Sequence, residues 1–389
     1  MQYFLAIMNL QDYIGNLWSF PMSANFIGPR IKWLREERKL SQDDLARLFG
    51  FKDRQTVSAI ETGERRVTAE ELMIAVEKLG ASLDYFTDPF LLVGEGRFSW
   101  RQTNVGPQRL GAYERSAGRW IAAFRAIAPQ VGRVAPLLRR ALGLHKGSRF
   151  EDAMEAGERF VDQFELGDVP AARLAEVMER ELGILVLNVD AFEGISGAAC
   201  RLPELDVVLI NRHEVVGRRH FDLAHELFHI LTWDAMPPEH SEEARETGGN
   251  RVEQLANNFA SAVLMPAAIL DRFADWAAIS ERELPARLNA AADALLVTAS
   301  ALKWRLVALD RLKPAAARAV PDATLRNNGR DVVPVAPPPL FSKPFLEVIA
   351  LAVDQGRVSA RRAAGLVDLA VDELDDLLKT HGVPSPLEL

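Results

Sequence analysis

Residues 218–234 read "RRHFDLAHELFHILTWD". Phe221, Leu223, Ala224, Leu227, Phe228, Ile230 and Leu231 recur at the spacing of a buried helix. His225, Glu226 and His229 interrupt that pattern, and burying two imidazoles and a carboxylate is costly unless each has a strong partner. The histidines are four residues apart, one helical turn, so their rings project from one face. Both nitrogens can then reach a single Zn²⁺ at roughly 2.0–2.1 Å. Glu226 sits beside His225, where it can take a proton from a water on the metal's open side.

A catalytic zinc usually takes three protein ligands and keeps one position for water. The stretch "RVEQLANNFASAVLMP", residues 251–266, predicts a second helix with Val252, Leu255, Phe259, Ala262 and Val263 as its apolar stripe. Glu253 falls near that stripe, where a carboxylate would not be left without a partner, and is the natural third ligand. Asn257, one turn later on the same side, is placed to hold a ligating group from behind. The bland alternative, two satisfied core histidines and a surface glutamate, needs three coincidences on two helices.

These two stretches together resemble the zinc peptidases of the ImmA/IrrE group. The shared pattern is an Arg-x-Phe lead-in, Ala-His-Glu-Leu-x-His, then Glu-x-x-Ala-Asn-x-Phe-Ala ending in Met-Pro, and the likeness spans roughly residues 165–310. It implies metal ligands His225, His229 and Glu253, with Glu226 as general base. It also implies that DNA-binding repressors are candidate substrates. Phe228 stands where relatives often have Gly, which narrows the space beside the ligands. No tyrosine follows Tyr113, so no Tyr of this domain stabilises an oxyanion. His213, His220, His240 and Arg251 remain for that task, and none stands out.

A net charge of −8 does not suit a non-specific nucleic-acid binder, so any DNA contact must be local. Residues 27–66 hold ten Lys/Arg against seven Asp/Glu, a basic patch in an acidic chain. There Ser41 predicts an N-cap before "QDDLARLF" and Gly50 a stop, while Asp53 caps "RQTVSAIE" and Gly63 ends it. Two short helices with a tight turn make a helix-turn-helix, the second lying in the major groove. Val57, Ile60 and Leu45 would hold it to the scaffold. Gln42, Arg54, Gln55, Thr56 and Ser58 are the candidate base or backbone contacts, with Arg65 and Arg66 as phosphate contacts. Through "LSQDDLARLFG", "TVSAIETGERR" and "LGASLDYF" this block resembles the XRE (lambda-repressor-like) helix-turn-helix family. The rival reading is a small helical bundle for docking or dimerisation.

The 389 residues predict several domains. Residues 1–26 read as an N-terminal extension in which Met22 offers a second start, so a start-site artefact stays open. Residues 27–102 are the helix-turn-helix domain, 103–164 a helical connector and 165–312 the peptidase domain. In the last, "ILVLNVD", "ISGAACRL" and "LDVVLINR" predict three strands. "RFSWRQ", residues 97–102, reads as packing at a domain boundary. Residues 313–340 form a Pro-rich linker, and 341–389 a helical C-terminal domain. Its stretch "DLAVDELDDLLK" would point carboxylates at phosphates, so it reads as a docking or packing module. The fold class is mainly α with a small β-sheet: an all-α helix-turn-helix domain, an H-E-x-x-H zincin-like domain with a short sheet, and a helical tail. A single cysteine, Cys200, and no apolar run near the roughly 20 residues that span a bilayer suit a cytoplasmic chain without a membrane segment. The reading is a Zn²⁺-dependent endopeptidase fused to a DNA-binding domain, acting on duplex DNA through residues 27–66 and on a protein substrate, a helix-turn-helix repressor. A homodimer is left open. The alternative is a transcriptional regulator whose zinc domain senses a signal and cuts nothing.

Overall fold

A computed structural model describes residues 26–133, 137–243, 250–330 and 336–387; the N-terminal extension, apart from Phe26, lies outside the described residues. The chain is mainly helical with one small sheet and divides into two compact units. Among the described residues, the first comprises 26–97, 107–133 and 346–387. The second comprises 98–106 and 135–345.

In the first unit the helices end where local chemistry ends them. They are α1 (Ile27–Glu37), α2 (Gln42–Phe49), α3 (Arg54–Glu61), α4 (Ala69–Leu79) and α5 (Leu83–Thr87). Ser41 and Asp44 form a capping box on α2, and Gly50 closes it with φ 72°. The Asp53 side chain accepts the Thr56 N–H at the start of α3. Leu34, Leu45, Phe49, Val57, Ile60, Leu72 and Phe86 form the core between them. α1 lies so close to α3 that a Cβ on Gly28 would stand 1.9 Å from the Ile60 carbonyl oxygen, so only glycine fits there. Arg35 and Glu61 form a buried ion pair (Nε–Oε1 2.6 Å), and the Gln42 amide donates to the other Glu61 oxygen at 2.9 Å. Buried Arg30 fastens the following segment by donating to Glu95 and to the carbonyls of Tyr85, Asp88 and Leu91. Strand β1 (Arg97–Gln102) then leads to α6 (Pro107–Ile127).

The second unit begins its helices with α7 (Phe150–Gln163) and α8 (Pro170–Arg180). Strands β2 (Ile184–Val189), β3 (Ile195–Arg201) and β4 (Asp206–Asn211) follow, then α9 (Val216–Thr232), β5 (Ser241–Glu243) and α10 (Arg251–Leu264). The sheet order is β2-β4-β3-β1-β5. β2 runs parallel to β4, β3 antiparallel to β4, and β1 parallel to β5. α9 packs on β3 and β4 and against α10. α10 in turn lies on α7 at glycine distance: a Cβ on Gly157 would stand 2.7 Å from the Phe259 carbonyl oxygen. The apolar stripe expected of α10 is buried throughout.

Two strands join the three read from sequence. β1 is the stretch assigned to boundary packing; Trp100 is fully buried, and the Trp100 N–H donates to the His240 carbonyl at 2.9 Å. Residues 98–102 therefore belong with the sheet and not with the helix-turn-helix block that the range 27–102 gave them to. The expected connector 103–164 is likewise divided, α6 going to the first unit and α7 to the second.

The remaining helices of the second unit are α11 (Ala267–Phe273), α12 (Leu284–Leu295), α13 (Ala299–Ala308), α14 (Pro314–Ala319) and α15 (Asp322–Leu325). The last two lie in the segment expected to be linker. Pro314 is a first-turn proline, tolerated because its missing N–H would have no helical partner. Ala317, Val320 and Leu325 are buried in the unit's core, so apolar burial overrides the proline content up to about that point. α16 (Lys343–Asp354), α17 (Ala360–Leu366) and α18 (Val371–Thr380) complete the helical tail, where Arg119 of α6 forms a two-oxygen ion pair with Asp368.

Candidate metal centre and nucleic-acid interface

His225, Glu226 and His229 are each 1 % exposed and Glu253 5 %, so the interruption seen in the sequence is a buried cluster. α9 presents the two imidazoles from one face, and α10 brings the carboxylate to them. The two histidine Nε2 atoms are 3.1 Å apart, His225 Nε2 is 3.2 Å from Glu253 Oε2, and His229 Nε2 is 3.1 Å from Glu253 Oε1. Ligand atoms at 2.0–2.1 Å on a tetrahedral ion are roughly 3.3 Å from one another. The cluster has the spacing of one face of such a shell, and its imidazole–imidazole–carboxylate donor set suits a zinc-type ion. The residues fit a metal.

The environment fits as well. Asn257 Oδ1 is 2.9 Å from His225 Nδ1. An amide oxygen only accepts, so Nδ1 carries the proton and the lone pair is left on Nε2. Burial, then the Arg101 charge, brings the His225 pKa down to about 4, which keeps the ring neutral. Glu226 is not among the three clustered groups. Burial holds its carboxyl well above the ordinary carboxylate range, while Arg101 pulls the other way. Its Oε1 is buried and has no hydrogen-bond partner among the described residues, an orphan of the kind that a substrate or water satisfies.

Two residues at the centre were not singled out from sequence. Arg101 of β1 is buried, with Nη1 3.0 Å from His225 Nε2 and 3.6 Å from Glu253 Oε2. Asp222, three residues before His225 on α9, is 1 % exposed and pairs with Arg101 Nε at 3.0 Å. Burial pushes Asp222 up to about 6, with Arg101 and Arg218 opposing. A buried Asp on the same helical face was the available signal for Asp222, since such a residue demands a cation. Arg101 carried none, being 124 positions from His225.

The other basic groups weighed for the oxyanion have other partners. His213 pairs with Asp190, His220 Nδ1 contacts the Leu296 carbonyl, and Arg251 donates to the Ser148 carbonyl and covers the Phe150 ring. Phe228 is fully buried, its ring meeting Phe259 in the core at 5.6 Å and His229 of the cluster edge-on at 5.8 Å.

In the first unit α3 turns Val57 and Ile60 inward and leaves Arg54 and Gln55 exposed, with Thr56 and Ser58 half-buried. Arg66 is exposed too. Gln42 leans on Glu61, as described above. Arg65, expected on a phosphate, is engaged by both oxygens of Glu71 at 2.7 and 3.0 Å and closes the turn between α3 and α4.

A helix-turn-helix unit joined to a helix-and-sheet unit with a buried His–His–Glu cluster defines a regulator with a metallopeptidase-like domain. Residues 31–86 match the helix-turn-helix family, and residues 179–300 match the peptidase family described as the IrrE N-terminal-like domain. No curated protein and no solved structure matches the chain. Residues 31–86 are thus a DNA-binding helix-turn-helix of the XRE type, and residues 179–300 an ImmA/IrrE-like domain. No helix among the described residues is long and apolar enough to cross a membrane.

Proposed function

We propose that this chain is a zinc-dependent endopeptidase that carries its own DNA-binding domain and cleaves a regulator, a helix-turn-helix repressor or antitoxin-like protein, to switch transcription in stress or mobile-element control. His225, His229 and Glu253 hold the metal, and Asn257 holds His225. Bound there, zinc supplies the Lewis acidity that activates water and polarises a peptide carbonyl. Glu226, next to His225 and outside the ligand set, takes the proton from the attacking water and passes it to the leaving amine. In the first unit Arg54, Gln55, Thr56 and Ser58 read base edges from α3, and Arg66 contacts phosphate.

The observation that carries this reading is Glu226: buried beside the ligands, belonging to none of them, its Oε1 without a partner among the described residues. A purely structural metal site has no use for such a group. One observation favours the second reading, a non-hydrolytic sensor. The cluster is closed, with each of its residues buried and the buried Arg101 guanidinium against His225.

Glu226→Gln separates the two. The variant keeps the shape of the side chain and removes the base. It should hold one zinc per chain, bind duplex DNA as before, and leave a co-expressed repressor uncut. A variant strain that switches like wild type, with the repressor whole in both, establishes the sensor.

A further inference from the structure

Arg101 stands on the one lone pair that a metal needs from His225. Nδ1 of that ring is engaged by Asn257, so the lone pair is on Nε2, where the Arg101 Nη1–H stands at 3.0 Å beside His229 Nε2 at 3.1 Å and Glu253 Oε2 at 3.2 Å. The same Nη1 lies 3.6 Å from Glu253 Oε2, the oxygen that faces His225. A guanidinium is a donor with no lone pair to offer, so it cannot join a coordination shell. It also cannot share the His225 lone pair with a cation. Building on the metal-centre reading, we infer that Arg101 is an internal competitor for the metal's ligands, and that a divalent cation enters the site by exchange, guanidinium out and metal in.

The structure also supplies the place to which Arg101 retreats. Its Nε lies 3.0 Å from Asp222 Oδ1 as an ion pair out of hydrogen-bond alignment, and Arg101 Nε and Asp222 Oδ2 are both buried without a hydrogen-bond partner among the described residues; Arg218 Nε is 3.8 Å from Oδ2. Its Nη1 faces His225 and Glu253 while its Nε faces Asp222, so a guanidinium displaced from the ligands keeps a buried carboxylate beside it. Two discrete partners thus bracket one guanidinium, with the ligands on one side and Asp222 on the other.

The test uses the full chain, stripped of metal and titrated with zinc against a chromogenic chelator, with uptake followed by stopped flow. Arg101→Gln removes the competing charge. It should bind zinc at least tenfold more tightly than wild type, about 1.4 kcal/mol, and take it up faster. Asp222→Asn weakens the retreat and should shift affinity the other way, by threefold or more. Arg101→Lys keeps the competing charge and should not show the tightening seen with Arg101→Gln. It serves with Asp222→Asn if the glutamine variant does not fold. Equal zinc affinity and uptake in wild type and the folded Arg101→Gln or Asp222→Asn proteins overturns the competitor role. Failure of the metal reading looks different: zinc then titrates unchanged in His225→Ala and Glu253→Ala.

Discussion

Removing the Asn257 side chain should weaken metal binding without touching a ligand. Its Oδ1 accepts the His225 Nδ1–H at 2.9 Å, and the ring is 1 % exposed, so water does not readily replace the amide in Asn257→Ala. An unsatisfied buried donor costs about 1–3 kcal/mol. The ring relieves that cost by moving its proton to Nε2, the atom the metal must have. Outer partners of this kind are worth about 10–100-fold in metal affinity, which is about 1.4–2.8 kcal/mol. Asn257→Asp keeps an acceptor in place and should retain affinity. Zinc competition titrations on the three proteins measure this directly, with thermal melts of the metal-free forms showing that each is folded. An Asn257→Ala protein that binds zinc within twofold of wild type refutes the tautomer argument.

The helix-turn-helix divides two residues that look alike in sequence. Gln55→Ala should relax base preference in a duplex selection, by about 1–3 kcal/mol at one position. Arg65→Ala should instead lower the stability of the protein by about 0.5–1 kcal/mol given its partial exposure, and leave the affinity of the folded fraction unchanged; a loss of affinity across all duplexes without loss of stability returns Arg65 to the phosphates. In the second unit, burial pushes Glu179 from 4.5 up to about 7. The folded state then holds the proton more tightly than the unfolded one, so the contribution is full below pH 4.5 and lost as pH rises through about 7, about 3 kcal/mol in all. Denaturant titrations of Glu179→Gln should show a flatter stability profile across about pH 5–8, and an unaltered slope contradicts the shift.

The gathering of His225, His229 and Glu253 was legible because its signals are local. Two histidines one turn apart on a helix share a face whatever surrounds them, and a carboxylate near an apolar stripe announces a partner. The caps Ser41 and Asp53 and the stop at Gly50 were legible for the same reason, since each acts within four residues of itself. Tertiary structure alone decided the rest. β1 and β5 meet over three residue pairs, Trp100 with Ser241 to Gln102 with Glu243, too short a run to leave a periodic mark. Pro314 reads as linker until Ala317, Val320 and Leu325 find a core to enter. Arg65 becomes a clamp only when Glu71 is folded beside it. Arg101 is the clearest case: its role depends on a strand pairing that brings a guanidinium to His225, and long-range pairing has no spacing rule by which sequence could announce it.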